Sequence, residues 1–172
     1  MTASVLSVIA IMVSLAALMI SSLITTRQAK YMRHANHLPL LAQMINEIRN
    51  PVFMKDQEFI EQCLAAQCDP SAGLHGLPFD VKARVFNVAG FYQSVAALAA
   101  FDLVDREKII LLLGRRALRA WIALEPFIEA EREKSEPSAT IYSIFEDLAT
   151  RAEEANYAAM VDSFGLRRRT SS

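Results

Sequence analysis

Polar and apolar positions alternate along this chain in two regimes. From Ala3 to Ile24 run 22 residues without a charged side chain, rich in Leu, Ile, Val, Met and Ala. As a helix such a run reaches about 33 Å, enough for a hydrocarbon core of about 30 Å. Beyond it the apolar positions recur every three or four residues, the signature of helices with one buried face. Pro39 suits the first turn of a helix whose inner face is Leu38, Leu41, Ile45 and Ile48, and Asn50-Pro51 ends it. Asp56 is the expected N-cap of the next helix, which carries Phe59, Ile60, Cys63 and Leu64 inward until Asp69-Pro70 stops it.

Asp80 is placed to cap a helix reaching about Phe101, with Val81, Val85, Val88, Tyr92, Val95 and Leu98 or Ala99 in phase. Asp105 is placed to cap a run to about Lys134 with the stripe Ile110, Leu113, Ala117, Trp121, Leu124 and Ile128. Pro126 should kink that helix or divide it. The last helix begins near 137–139, turns Ile141, Phe145, Leu148, Ala152, Ala155 and Ala159 inward, and ends before Gly165. No segment alternates with a period of two. The expected fold is therefore all-α, a single N-terminal transmembrane helix followed by a small cytoplasmic helical bundle.

Charge decides the orientation. The 172 residues hold 18 Lys+Arg and 19 Asp+Glu for a net charge of −1, and every one of these lies at or after Arg27. The mean hydropathy of +0.22 is thus raised by the N-terminal run. Arg27, Lys30 and Arg33 follow the run directly while nothing charged precedes it, the reverse of a cleaved signal peptide and the pattern that leaves the C-terminal bulk in the cytoplasm. With Tyr31, these basic side chains suit the membrane interface. The chain accordingly divides into an anchor (1–26), a basic juxtamembrane helix extension (27–37), a helical bundle domain (38–164) and a basic tail (165–172) carrying Arg167, Arg168 and Arg169. Cys63 and Cys68, five apart, match no common zinc or redox spacing and are expected to be reduced thiols. Within the anchor Ala3, Ser7, Ala10, Ser14, Ala17 and Ser21 form a stripe of small residues that lets two helices approach, so a homodimer through the anchor is expected.

The stretch VFNVAGFYQSVAALAAFDLVDREKIILLLGRRALRAWIALEPFIEAER combines an aromatic pair (Phe91, Tyr92), an acidic turn (Asp102 to Asp105), Gly114, Trp121, Pro126 and Arg132. With His37-Leu38-Pro39 upstream, it resembles a bacterial family of unknown function, domain family 4760. The resemblance covers most of the chain and implies one N-terminal membrane helix ahead of a helical region, and so a place in the bacterial inner membrane. The family has no established activity to carry over.

Candidate chemistry is sparse. His34 and His37 are three apart, but basic residues lie upstream and no carboxylate or Cys lies close, so interfacial histidines are expected rather than a metal site. His75 stands alone in the loop SAGLHGLP, which lacks the phosphate-binding fingerprints and reads as a connector. Glu125, Glu129 and Glu133, within a segment ending EAEREKSE, read as a solvated, charge-laced face because no Glu-x-x-His partner exists. Arg115, Arg116 and Arg119 form a compact basic patch one turn before Trp121 and are the candidate interaction site, weighed against a core Trp whose flanking arginines pair with neighbouring acids. No catalytic residue, cofactor or metal is expected, and the absence of net positive charge disfavours nucleic acid.

The sequence therefore points to a single-pass membrane protein with an interaction, scaffold or accessory role, in contact with membrane lipid and a protein partner. Its alternatives are a membrane-tethered enzyme acting on a lipid or small molecule, and a subunit of a larger membrane complex. A C-terminal fusion to a reporter active only in the periplasm should be silent on the full-length chain; strong activity would reverse the orientation read from Arg27, Lys30 and Arg33.

Overall fold

The computed structural model of the chain describes residues 14, 17–19, 21–22, 39–134 and 140–165. It comprises two compact units, Met1–Ala42 and Gln43–Ser172. In the first, the described residues 14, 17–19, 21 and 22 are helical. The rest of the expected anchor, the basic residues Arg27, Lys30, Tyr31 and Arg33, the pair His34 and His37, and the tail arginines lie outside the described residues, as do Ser7 and Ala10 of the small-residue stripe. Among the described residues no helix is long and apolar enough to cross a membrane.

The regular structure among the described residues is all helical, without strands. After a helix over 39–49 (α1) come α2 (Pro51–Gln62), α3 (Leu64–Gln67) and α4 (Phe79–Ala100). A run of α5 (Arg106–Ile109), a π-helical segment (Ile110–Gly114) and α6 (Arg115–Lys134) follows, then α7 (Ser143–Glu154) and α8 (Tyr157–Ser163). The bundle is built on α4, which packs on α2, α6 and α7, while α6 also packs on α2 and α7. Their shared interior is aromatic. Tyr92 of α4 stacks on Phe145 of α7 at 5.3 Å between ring centroids, and Trp121 of α6 meets the same Phe145 edge-on at 5.3 Å. Phe53 of α2 closes the cluster, edge-on to Phe91 at 4.8 Å.

The stripes anticipated on α4 and α6 are buried in full: Val81, Val85, Val88, Tyr92, Val95 and Ala99 on one, Ile110, Leu113, Ala117, Trp121, Leu124 and Ile128 on the other. Asp105 caps α5 as expected, its Oδ1 accepting from the backbone N–H of Glu107 at 3.0 Å and of Lys108 at 3.4 Å. Several local expectations need correction. On α1 it is Met44 that is buried, and Ile45 is exposed. The N-cap of α2 is Asn50, whose side chain accepts from Val52 N–H, with Pro51 in the first turn; Asp56 lies inside the helix. Asp56 instead accepts from Asn87 Nδ2 of α4 at 2.9 Å. Asp80 caps nothing, because α4 starts one residue earlier, after Pro78. Pro126 does not divide α6, which runs on to Lys134. The last predicted helix is two: Ala155 turns extended (φ −67°, ψ 127°) and Asn156 caps α8 through Ala159 N–H, so Ala159 is exposed.

The connector 69–78 is held by a buried acid that the charge pattern placed in solvent. Glu131 is 5% exposed, its Oε2 accepting the backbone N–H of His75 at 3.0 Å and its Oε1 lying 2.6 Å from His75 Nδ1. Gly73, at φ +69°, makes room for it: a Cβ there would lie 2.7 Å from Glu131 Oε2. Glu125, Glu129 and Glu133 are exposed as expected. Burial pushes the Glu131 carboxyl up, but hydrogen bonds from the His75 backbone and ring and from Leu74 N–H, joined by the His75 charge when that ring is protonated, outweigh it and hold the group below its ordinary value.

A depressed folded value means the Glu131 contribution is complete above the unfolded carboxylate pKa, about 4.3, and drains away as pH falls toward the lower folded value. The melting temperature should therefore drop on acidification through that window, and Glu131→Gln should flatten the drop. Trp121→Ala, which removes the buried ring that α6 sets against Phe145, should cost about 3–5 kcal/mol in denaturant unfolding.

Candidate functional site

The arginine patch does not stay together. Arg115 turns toward α8, its guanidinium 4.8 Å from the ring centroid of Tyr157. Arg116 and Arg119 face α2 and line a shallow groove of about 300 Å³ with Met54, Gln57, Glu58, Glu61 and Gln62. A second hollow of about 370 Å³ shares Glu61, Gln62 and Arg119 with the first and extends it past Ile60, Ala65, Ile122 and Ala123. Consecutive α2 and α3 on one side and α6 on the other make this trough: Met54, Glu58, Glu61 and Ala65 recur along α2 and α3 at steps of three or four, as do Arg116, Arg119 and Ala123 on α6.

A hydrogen-bonded ladder descends from the groove into the core. Arg119 Nε donates to Glu61 Oε2 at 3.0 Å; Glu61 Oε1 accepts from Gln57 Nε2 at 2.6 Å; and Gln57 Oε1 accepts from Tyr92 Oη at 3.1 Å. Gln57 Nε2 also reaches the Arg116 carbonyl at 3.4 Å, and Arg116 Nη1 reaches the Ile48 carbonyl at 3.4 Å. Gln57 and Tyr92 are buried, and both ends of their contact are satisfied. Burial pushes the Tyr92 phenol far above its ordinary value, with the charge of Arg116 pulling weakly the other way. Burial thus holds Tyr92 as the neutral phenol, a hydrogen-bond donor that anchors the α2 face of the groove.

The groove mixes charge with apolar surface. Met54 is 47% and Ile122 57% exposed, one in each of the two hollows, on either side of the Glu61–Arg119 pair they share. Little in the patterning of α2 marks Gln57, which sits one turn after the buried Phe53; only its spacing of four from both Phe53 and Glu61 points to an inner face. Among the described residues no group of three or more His, Cys, Asp or Glu side chains could hold a metal, and Cys63 and Cys68 are free thiols.

A family model, Domain of unknown function (DUF4760), matches residues 4–152. The chain belongs to this family. Its DUF4760 region takes in the whole groove, the Glu131–His75 loop anchor and the aromatic cluster, and ends within α7, ahead of α8. No curated protein and no solved structure matches the chain.

Replacing Gln57 with Leu orphans the Tyr92 hydroxyl in the core and should cost about 1–3 kcal/mol. Arg119→Ala breaks only a half-exposed ion pair and should cost less than about 1 kcal/mol. Equal losses in urea titrations of the two variants would mean the ladder is not anchored at its buried end.

Proposed function

We propose that this chain is a single-pass inner-membrane protein with its N-terminus outside, whose helical domain works in the cytoplasm by binding a protein partner in the α2–α6 groove. The groove carries this reading. It is a trough between two helices with an apolar side chain in each hollow, Met54 and Ile122, and a fixed ion pair, Glu61–Arg119, between them. That layout suits an amphipathic helix presenting apolar anchors on both sides of a polar position, a common mode of recognition. Of the arginine patch, Arg116 and Arg119 belong to the interaction surface and Arg115 does not. The uncharged run from Ala3 to Ile24, with Arg27, Lys30 and Arg33 after it, supports the anchor, and the small-residue stripe Ser7, Ala10, Ser14, Ala17 and Ser21 supports pairing of two anchors in the bilayer.

Affinity capture from native membranes tests the reading when it is run with matched variants. A partner held by the parent should be lost with Ile122→Asp or Arg119→Glu and kept with Leu112→Asp, which places the same charge at a half-exposed position outside the groove. Retention by all three variants would remove the groove from the interface. A small molecule that co-purifies and is lost with the groove variants would replace the partner helix by a ligand.

A further inference from the structure

His75 projects from the surface while its carboxylate partner is sealed beneath it: the His75 side chain is 75% exposed and that of Glu131 only 7%. An ionised carboxylate can only accept, so the 2.6 Å contact fixes the hydrogen on His75 Nδ1. The neutral ring then carries its lone pair on Nε2, the nitrogen not engaged by Glu131. Two ammonium groups border the loop without an ion pair among the described residues. Lys82 Nζ donates to the His75 carbonyl at 2.6 Å, and Lys134 Nζ to the Ser71 carbonyl at 2.6 Å. On α4, Phe79, Lys82 and Phe86 are spaced three and four apart and so share a face; Phe79 is 89% exposed, and Phe86 meets the His75 ring edge-on at 6.3 Å.

His75 lines neither hollow of the α2–α6 groove, so its chemistry is separate from that surface. An imidazole that receives a group from a partner's active site needs an exposed Nε2, a fixed tautomer, nearby positive charge and apolar surface for docking. Those are what surround His75. We propose that His75 is a phosphoryl-acceptor site, its Nε2 taking the phosphoryl group from an acyl phosphate on a partner protein.

In the transfer the Nε2 lone pair attacks phosphorus. The P–N bond forms as the bond from phosphorus to the acyl oxygen breaks, and that electron pair leaves with the donor carboxylate. No proton is lost: the hydrogen stays on Nδ1, and the ring becomes a phosphorylated imidazolium whose positive charge faces the Glu131 anion. Lys82 and Lys134 supply positive charge for the transferred oxygens. Glu131 is a positioning residue, setting which nitrogen reacts. This site is separate from the groove and independent of the partner proposed there.

The full-length protein in detergent micelles, incubated with acetyl phosphate, provides the test. Mass spectrometry should find one acid-labile phosphoryl group, at His75 rather than His34 or His37, absent in His75→Ala. Phosphorus NMR should show the Nε2 isomer alone. Glu131→Gln should slow labelling and yield both ring isomers, because the ring loses the carboxylate that fixes its hydrogen on Nδ1. Should Glu131→Gln fail to fold by circular dichroism, Lys82→Gln, which costs the fold only a contact to a carbonyl but removes the positive charge beside His75, should still slow labelling. No label on His75, labelling of all three histidines at one rate, or labelling indifferent to Lys82 would overturn the proposal.

Discussion

The Tyr92 ring and its hydroxyl are where the bundle is decided. The ring, fully buried, stacks on Phe145 of α7, which in turn receives the edge of Trp121 from α6. A phenol so deep would cost about 1–3 kcal/mol if its hydroxyl were left dry. Gln57 prevents this, which fixes α2 against α4 at one register, and Gln57 is itself fixed by Glu61. One buried polar contact thus ties α2 to α4 at a defined register beside the apolar packing of the bundle.

The end of α6 makes a second set of connections with adjacent residues of opposite charge. Glu131 gathers the loop 69–78 from one direction. Arg132 reaches the other way, donating to the Ile141 carbonyl at 2.7 Å and to Glu146 at 2.7 Å, with its guanidinium 5.8 Å from the Trp121 ring centroid. Neighbours on a helix point about 100° apart, so a Glu-Arg dipeptide can tie two loops on two sides of one helix. The residue pair is legible only as charge; its division of labour appears when both loops are in place.

Where the sequence spoke plainly, a single period governed a long stretch. The stripes of α4 and α6 were readable because six apolar residues in phase admit one buried face. Short elements were less legible. Asn50 and Asp56 both had N-cap chemistry, and the choice fell to Pro51, whose missing N–H suits a first turn. Asn156 divided the last helix although Ala155 and Ala159 kept the apolar phase, since alanine commits weakly to burial and an Asx side chain competes for the backbone. Of the candidate site, Arg116 and Arg119 were found from their charge and spacing. Gln57 was not, because a buried amide is identified by its partner on another helix. His75 and Glu131 are 56 residues apart, and neither carries a local sign of the other.

The C-terminal helix stands in a different relation to the domain. Every residue of α8 is at least partly exposed, and its hold on the bundle centres on Tyr157, which lies under Arg115 and reaches the bare backbone of Gly114 in the π-helical segment. A Cβ at Gly114 would lie 2.6 Å from the Tyr157 hydroxyl, so the tight approach depends on glycine. That hydroxyl is buried and finds no hydrogen-bond partner among the described residues. When α8 lifts away, water supplies the missing bond, which offsets part of the cost of opening. The family match already stops before this helix. A helix with no buried residue and an unpaired hydroxyl at its anchor is the place for local opening, so amide exchange and protease cleavage are expected there ahead of the aromatic cluster.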